Sequence, residues 1–211
     1  MVRKLICFDL LRRSLAIHVA YTLALTLNTA YYNDLHFHYG YFIYAAAVVA
    51  NFDPEWGKKM FEQVLLLVRN IANPTDDDEV FPAFRMKDWY QGHSWASGIV
   101  SPVFLNGRNQ ESSSESIAAY ESVALYGAVM TSIWEKEKSK ENIQAAKEVH
   151  EAGQLLTATE LRSVRRYYHV RDEDDGNQAL KIYPSEYKHH AIGMLWNTMA
   201  QYQTWFGSAP Y

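Results

Sequence analysis

The sequence is poor in several features that would point to other protein classes. Its 211 residues include one cysteine, Cys7, so an internal disulfide bond is impossible and the redox compartment stays open. The formal net charge is −4 and no basic stripe is present, which argues against nucleic-acid binding because nothing would neutralise the phosphates. Phosphate-binding glycine loops, a Gly-x-Ser-x-Gly elbow and a Cys–His nucleophile pair are also missing. Carboxylates, histidines and aromatic residues remain as the candidate chemistry.

Long apolar runs are missing as well. The stretch SLAIHVAYTLALTLNTA (14–30) follows two arginines, as the apolar part of a secretion leader would. It is interrupted by His18 and several threonines, and Asn28 occupies a position where a cleavage site requires a small residue. The run is too short and too polar to cross a membrane. We therefore predict an ordinary helix in residues 1–30, with neither a signal peptide nor a membrane contact.

What the sequence does contain is helical periodicity along nearly its whole length, with 48% hydrophobic residues for a core. Asp53 followed by Pro54 is a strong helix-start signal, because aspartate caps a helix and proline suits its first turn. The predicted helices are 14–29, 39–50, 53–72, a short one at 93–100, 113–134, 138–151, 153–168 and 185–205. The fold class is therefore all-α, built from helical hairpins.

Two of these helices, 39–50 and 117–134, are apolar on most sides. Such helices need an outer ring of amphipathic partners, which is the arrangement of a closed toroid of helix pairs. The pattern predicts fewer helices than the twelve that six complete hairpins require. We therefore predict a partial (α/α)6 toroid whose exposed apolar faces favour non-specific self-association.

The segment NQESSSE (109–115) is the first candidate site. Ser112 and Glu115 have the spacing of a capping box, in which each side chain bonds a backbone amide of the helix start. Glu111 lies before the cap, where helix geometry does not require it. Two carboxylates on one face at a helix N-terminus would raise the pKa of one of them and so prepare it as a base. Both interpretations stay open on these residues alone.

The segment YYNDLHFHYGYF (31–42) is the second candidate. Asn33 or Asp34 could cap the following helix, while His36 and His38 lie within a cluster of tyrosines. A His-x-His pair raises the option of a metal site, although nothing in the sequence fixes the spacing to a third ligand. The candidates for that third ligand are His93, His189 and His190.

The third candidate is DWYQGHSWASG (88–98), where aromatic residues surround His93. Trp89, Tyr90 and Trp95 suit either core packing or a platform for sugar rings, because flat amphipathic side chains serve both purposes.

Taken together, these stretches resemble glycoside hydrolase family 81, the endo-1,3-β-glucanases. The resemblance is carried, in the expected order, by YYNDLHFHYGYFIYAAAVVA, DWYQGHSWASG, NGRNQESSSE and YQTWFGSAPY. It implies an inverting hydrolase that cuts internal 1,3-β-glucosidic bonds and whose catalytic helical toroid follows a β-sandwich. It further implies a 1,3-β-glucan as the partner, no cofactor or metal, and an extracellular or cell-wall location.

The resemblance also implies roles for individual residues. Asp34 matches the general acid, Glu111 the general base, and Glu115 a second required glutamate. Asp34 and Glu111 come from distant segments, which permits the separation of roughly 6.5–9.5 Å that an inverting mechanism needs. The residues expected to contact sugar are His38, Tyr41, His93, Trp95, Asn109 and Gln110.

The sequence departs from the family's usual architecture at both ends. Residues 1–30 do not match the usual lead-in, no β-sandwich precedes the helical part, and the chain stops at Tyr211. We therefore expect residues 31–211 to be a partial catalytic domain. Two functions stay open: a working endo-1,3-β-glucanase, or a weak or inactive remnant that at most binds β-glucan.

Overall fold

The computed structural model describes residues 34–97, 106–170 and 181–204, which form four α-helices and a small antiparallel sheet. The helices are α1 (Leu35–Phe52), α2 (Pro54–Ala72), α3 (Ser113–Glu137) and α4 (Lys140–Tyr167). None of these helices is long and apolar enough to span a bilayer. The helix predicted at 14–29 lies outside the described residues.

Helices α1 and α2 form a hairpin around a single residue, Asp53. Its carboxylate accepts a hydrogen bond from the Trp56 amide at 3.1 Å, and Pro54 occupies the first turn of α2. The helix start predicted from Asp53 and Pro54 is confirmed. The prediction for α1 was too short, because the helix begins at Leu35 rather than at Tyr39.

Helices α1 and α3 lie side by side and run in the same direction. Near their N-termini, a Cβ added at Gly40 would lie 2.5 Å from the Cβ of Ala119, so the two backbones nearly touch. Near their C-termini, Gly57 of α2 lies against both Ala50 and Ile133. This parallel packing places the starts of α1 and α3 next to each other, which brings together the two segments that carry the acidic motifs.

Helices α3 and α4 form the second hairpin. The sequence predicted two helices, 138–151 and 153–168, but α4 is continuous and Gly153 lies within it. The prediction was wrong because a helical glycine can serve packing rather than termination. A Cβ at Gly153 would lie 2.3 Å from the backbone nitrogen of Ala124, so the glycine allows α3 and α4 to approach closely.

The core forms between the two hairpins. Large buried side chains such as Ile43, Phe61, Tyr126 and Met130 fill the space between α1, α2 and α3. Helices α1 and α3 are buried on several sides and α2 and α4 cover them, as predicted for inner and outer helices of a toroid. The prediction of a helical fold is confirmed, with two hairpins of a toroid in the described residues.

Several large apolar side chains remain exposed on the helices and on the segment between α2 and β1, and self-association through them stays a prediction. They are Tyr41, Tyr44, Phe52, Leu66, Val80, Trp89, Tyr90, Leu125, Leu155 and Leu161.

The sheet was not predicted. Strands β1 (Asn109–Gln110), β2 (Met194–Trp196) and β3 (Ala200–Gln201) pair antiparallel in the order β1-β2-β3. The helix predicted at 185–205 is wrong for the described part of that range, which forms strands and turns. The backbone there bonds to distant partners instead of along the chain: Asn109 lies opposite Trp196 and Gln110 opposite Leu195.

The short helix predicted at 93–100 is also absent over residues 93–97. Ser94 forms a bridge with Lys87, and the Trp95 amide donates to the carbonyl oxygen of Met86 at 2.8 Å. These cross-chain bonds use the backbone groups that a helix would have needed.

Candidate active site

Asp34 lies at the N-terminus of α1, where it is nearly buried. It occupies the N-cap position in the left-handed backbone region, with φ 56°, and its carboxylate makes no capping hydrogen bond to the helix. The helix start is instead held by the backbone, since the Phe37 and His38 amides donate to the Asp34 carbonyl oxygen. The structure therefore does not use this carboxylate as a helix cap, the alternative left open by the sequence.

A single residue of the 94–97 segment joins the two acidic motifs. The Asp34 amide donates to the Ala96 carbonyl oxygen at 2.7 Å, and the Ala96 amide donates to the Asn109 carbonyl oxygen at 2.8 Å. Ser97 adds a bond from its hydroxyl oxygen, which accepts from the Asn109 amide at 2.8 Å. The segment that carries Asp34 and the segment that carries Glu111 are therefore both bonded to the backbone of one residue, Ala96.

Glu111 and Glu115 lie close enough to interact at the start of α3. Partial burial, together with the charge of Glu115, raises the pKa of the Glu111 carboxyl above its ordinary value. Both causes act in the same direction, because each disfavours the ionised form. A carboxylate with a raised pKa binds a proton more tightly, as a general base requires.

Glu115 is held by a tyrosine rather than by the helix backbone. The hydroxyl of Tyr41 donates to Glu115 Oε1 at 2.7 Å, across the α1–α3 interface. Ser112 occupies the N-cap position of α3, but its side chain makes no capping bond. The hydroxyl half of the predicted capping box is therefore absent, and Glu115 faces α1.

His38 and Tyr41, two residues expected to contact sugar, lie on α1 beside Glu115. Tyr41 is 60% exposed, and its hydrogen bond to Glu115 raises the pKa of the phenol. His38 is half-buried, and burial lowers the pKa of its imidazole against the opposing effect of Glu115. Both side chains therefore adjoin the glutamates and retain exposed surface for a ligand.

An open groove follows the same interface. It has a volume of about 520 Å³ and lies between α1 and α3, with Tyr41, Tyr44, Glu115 and Leu125 among its lining residues. Its size falls within the range of ligand sites in proteins, about 300–1,000 Å³. The groove thus gives an extended ligand access to one of the two glutamates.

In the 88–98 segment Trp89 and Tyr90 are exposed, whereas Trp95 and His93 are buried. Trp95 is 1% exposed, its indole N–H donates to Asp88 Oδ2 at 3.1 Å, and the guanidinium of Arg108 lies 5.1 Å from the ring centroid. His93 has no exposed surface, and its two ring nitrogens contact the Ser94 carbonyl oxygen and the Gln91 side chain. In this structure neither ring offers a face to a sugar, and both lie beneath the segments that carry Asp34 and Glu111.

Asn109 and Gln110 are also buried beneath the glutamates. The side-chain amide nitrogen of Gln110 donates to the Ser94 carbonyl oxygen and lies 3.3 Å from His36 Nε2, while the backbone carbonyl oxygen of Gln110 accepts from the Tyr168 hydroxyl at 3.1 Å. These bonds fix the strand that precedes Glu111. Of the six residues expected to contact sugar, only His38 and Tyr41 have substantial exposed surface.

The His-x-His pair does not form a metal site in this structure. Positions two apart on a helix face in different directions, so His36 and His38 cannot converge on one ion from α1. His36 is fully buried, and burial lowers its pKa to about 3, which keeps the ring neutral. Over residues 34–97, 106–170 and 181–204, no group of three or more His, Cys, Asp or Glu side chains could hold a metal ion.

A buried ion pair lies behind the acidic motifs, and no sequence pattern indicates it. Lys87 Nζ and Glu160 Oε2 are 3.0 Å apart, and neither side chain is exposed. Lys87 also donates to the Gly92 carbonyl oxygen at 2.7 Å, and burial lowers the pKa of its amine against the opposing charge of Glu160. Glu160 is one of many charged residues on an amphipathic helix, so only the fold distinguishes it from the exposed ones.

Comparisons with known proteins identify the family. The family model for the glycosyl hydrolase family 81 C-terminal domain matches residues 22–211. A glucan endo-1,3-β-D-glucosidase of Thermobifida fusca is 34% identical over 180 residues, covering 84% of this chain and 21% of that protein. The primary septum glucan endo-1,3-β-D-glucosidase of Schizosaccharomyces pombe is 45% identical over 104 residues, covering 48% of this chain and 10% of the relative.

A solved structure extends the comparison to the fold. The glycoside hydrolase family 81 protein from Clostridium thermocellum, determined as a mutant, superposes with a TM-score of 0.67 at 34% identity and covers 83% of this chain. The chain spans about a fifth of the length of that protein and of the Thermobifida relative. With a family match over most of its residues and the same helical fold, this chain belongs to glycosyl hydrolase family 81 and corresponds to part of the family's C-terminal domain.

Proposed function

We propose that this chain hydrolyses internal 1,3-β-glucosidic bonds of a β-glucan with inversion at the anomeric carbon. The observation that carries the proposal is the pair Glu111 and Glu115, in which Glu115 lines the α1–α3 groove and its charge helps to raise the pKa of Glu111. The names of the relatives, glucan endo-1,3-β-D-glucosidases, support this substrate class.

In the proposed mechanism Asp34 is the general acid and Glu111 the general base. Asp34 donates a proton to the glycosidic oxygen as the bond to the anomeric carbon breaks. Glu111 removes a proton from a water molecule that attacks the same carbon from the opposite face. The raised pKa of Glu111 suits this role, because a stronger base accepts the proton of water more readily.

Glu115 and Tyr41 have supporting roles in this proposal. The Tyr41 hydroxyl fixes the Glu115 carboxylate, and Glu115 in turn raises the proton affinity of Glu111. The exposed ring of Tyr41 and the half-buried imidazole of His38 are the side chains we propose to contact glucosyl units. His93, Trp95, Asn109 and Gln110 are proposed to support the site from beneath rather than touch the polysaccharide.

We further propose that the substrate is glucan outside the cell or in a cell wall. The support is the name of the yeast relative, a primary septum glucanase. Laminarin, a soluble 1,3-β-glucan, is therefore the test substrate.

The test is laminarin hydrolysis by the 211-residue chain, followed as reducing ends and by proton NMR of the first product. Inversion predicts that the new reducing end appears initially as the α-anomer. Asp34→Asn and Glu111→Gln should each lower turnover by about 10²–10⁴-fold, the usual contribution of a general acid or base. Glu151→Gln, the same type of change at an exposed position of α4, is the matched control.

Three results distinguish the possibilities. Loss of turnover in both variants, with the control unaffected, supports the proposal. Retention of laminarin by the unmodified chain in affinity electrophoresis, without any turnover, favours the β-glucan-binding remnant instead. A first product in the β-anomeric form would overturn the inverting mechanism.

A further inference from the structure

The Glu160 carboxylate is the most heavily bonded side chain behind the acidic motifs. Four hydrogen bonds from three side chains and one backbone amide converge on it. The Ser94 amide donates to Oε1 at 3.0 Å, Lys87 Nζ to Oε2 at 3.0 Å, and the Ser94 hydroxyl to Oε2 at 3.4 Å. The fourth donor is the hydroxyl of Ser116, which bonds Oε1.

Two of the donor residues belong to different parts of the proposed site. Ser116 follows Glu115 directly in the first turns of α3. Ser94 lies two residues before Ala96, whose backbone bonds both Asp34 and Asn109. Glu160 itself projects from α4, so one carboxylate connects the outer helix to both acidic motifs.

Stability alone does not account for such a group in the core. Burying two charges costs several kcal/mol per ion, and a well-packed apolar pair is often as stable or more so. A buried carboxylate with four donors instead provides directional constraints that apolar contacts cannot provide. The Tyr120 hydroxyl, 2.6 Å from Ser94 Oγ, extends the same network toward α1, where the Tyr120 ring stacks on His36.

We propose that Glu160 is a positioning residue for the carboxylates of the site, acting on Glu115 through Ser116 and on the Asp34 segment through Ser94. Lys87 neutralises its charge and fixes the turn at Gly92. The inference rests on the proposed function for the reaction it serves, but the geometric claim can be tested without that reaction.

The decisive variant is Ser116→Ala, because it removes only the link from Glu160 to α3 and leaves the ion pair intact. Thr131→Val is the matched control, because Thr131 also lies on α3 but does not line the α1–α3 groove. Its hydroxyl donates to the Gly127 carbonyl oxygen at 2.8 Å, within its own helix. The two variants lose one hydroxyl of α3 each, so both should lower the melting temperature only modestly.

The two variants should differ in their turnover of laminarin. Small displacements of a catalytic group cost up to about 10²-fold in rate, so Ser116→Ala should lower kcat on laminarin by about 10- to 100-fold with KM within about twofold. Thr131→Val should leave kcat within about twofold of the parent. Equal kcat values in the two variants would overturn the positioning role.

A second readout does not require activity. Carbon-13 NMR titration of labelled glutamate carboxyls, with the Glu111 signal assigned from Glu111→Gln, reports whether Glu115 still faces Glu111. In the parent and in Thr131→Val the pKa of Glu111 should stay raised by both burial and the charge of Glu115. In Ser116→Ala it should fall by the contribution of Glu115, while the larger contribution of burial is retained. If the parent fails to hydrolyse laminarin, the proposed function is lost, yet the titration still decides the positioning role. An unchanged pKa of Glu111 in Ser116→Ala would refute it.

Discussion

Replacement of Gly40 by alanine tests whether the close contact of α1 and α3 sets the geometry of the site. The new Cβ would lie 2.5 Å from the Cβ of Ala119 and 2.6 Å from its Cα. Ordinary contact begins at 3.4 Å, so the helices must separate by about 0.9 Å at this point. A side-chain rotation cannot relieve the contact, because one of the obstructing atoms belongs to the backbone.

Two opposing effects determine the change in the free energy of unfolding. Alanine in place of glycine within a helix gains roughly 0.5–1 kcal/mol from backbone entropy. Overpacking a core costs typically about 1–3 kcal/mol, and the rigid obstacle at Ala119 favours the upper end. The net loss should be about 2 kcal/mol, which lowers the melting temperature of a chain of this size by roughly 4–8 °C.

Thermal unfolding by circular dichroism measures this loss, and laminarin turnover measures its consequence for the site. Separation of the helices should also lengthen the bond from Tyr41 to Glu115, so turnover should fall further than stability alone explains. Ala128→Leu, an exposed position on α3, is the control and should stay within about 0.5 kcal/mol of the parent. The reasoning is refuted if Gly40→Ala melts at or above the temperature of the parent chain.

Three further predictions concern single residues. Glu111→Gln should stabilise the chain at neutral pH but not in acid. The raised pKa means that the folded state holds this proton more tightly than the unfolded state, so the stability of the parent falls as pH rises above the ordinary value of 4.5. A thermal-unfolding series against pH measures the difference between the two chains. Trp95→Ala should cost about 3–5 kcal/mol because the side chain is 1% exposed, and a melting temperature close to that of the parent would contradict its burial. Asp53→Ala should cost about 1 kcal/mol in urea unfolding through loss of the α2 cap, whereas Asp53→Asn, which keeps the accepting oxygen, should cost less.

Local sequence signals predicted the elements whose causes are local. The start of α2 follows from Asp53 and Pro54, because a cap and a first-turn proline act within a few residues of each other. The inner helices follow from the continuous apolar composition of α1 and α3, which only a buried position tolerates. The same reasoning failed at Gly153, where the requirement for glycine comes from the neighbouring helix and not from the residue's own.

Elements with distant causes escaped prediction. The sequence predicts a helix over 185–205, whereas β2 and β3 in this range pair with β1 and with each other. Strand pairing between distant segments leaves no local period in the sequence. Glu115 has the spacing of a cap, yet the Tyr41 hydroxyl from another helix faces its carboxylate. Residue spacing indicates which hydrogen bonds one helix can form by itself. The strands near the C-terminus and the Glu115 carboxylate both bond to a second element instead.

The candidate site itself was predicted in part, and mostly through the resemblance to a family. The motifs predict that Asp34, Glu111 and Glu115 are carboxylates of one site. In the structure, the backbone of Ala96 bonds both to Asp34 and to Asn109, two residues before Glu111. The direct contribution of Trp95 and His93 to sugar contact was expected from the matching motif, which cannot tell an exposed ring from a buried one. Burial depends on what packs above a residue, and that information is not local.

The backbone hydrogen bonds of Ala96 limit what side-chain mutagenesis can reveal about this site. Its N–H and C=O groups, not its methyl group, connect the two acidic segments, so every L-amino acid except proline supplies the same connection. Alanine scanning passes over the position entirely, and exchanges for serine or glycine would report only the fit of a small buried side chain. A backbone amide replaced by an ester at residue 96, introduced by semisynthesis, would remove the donor to Asn109 while keeping every side chain. The proposed site thus rests on backbone groups that no side-chain substitution except proline would change.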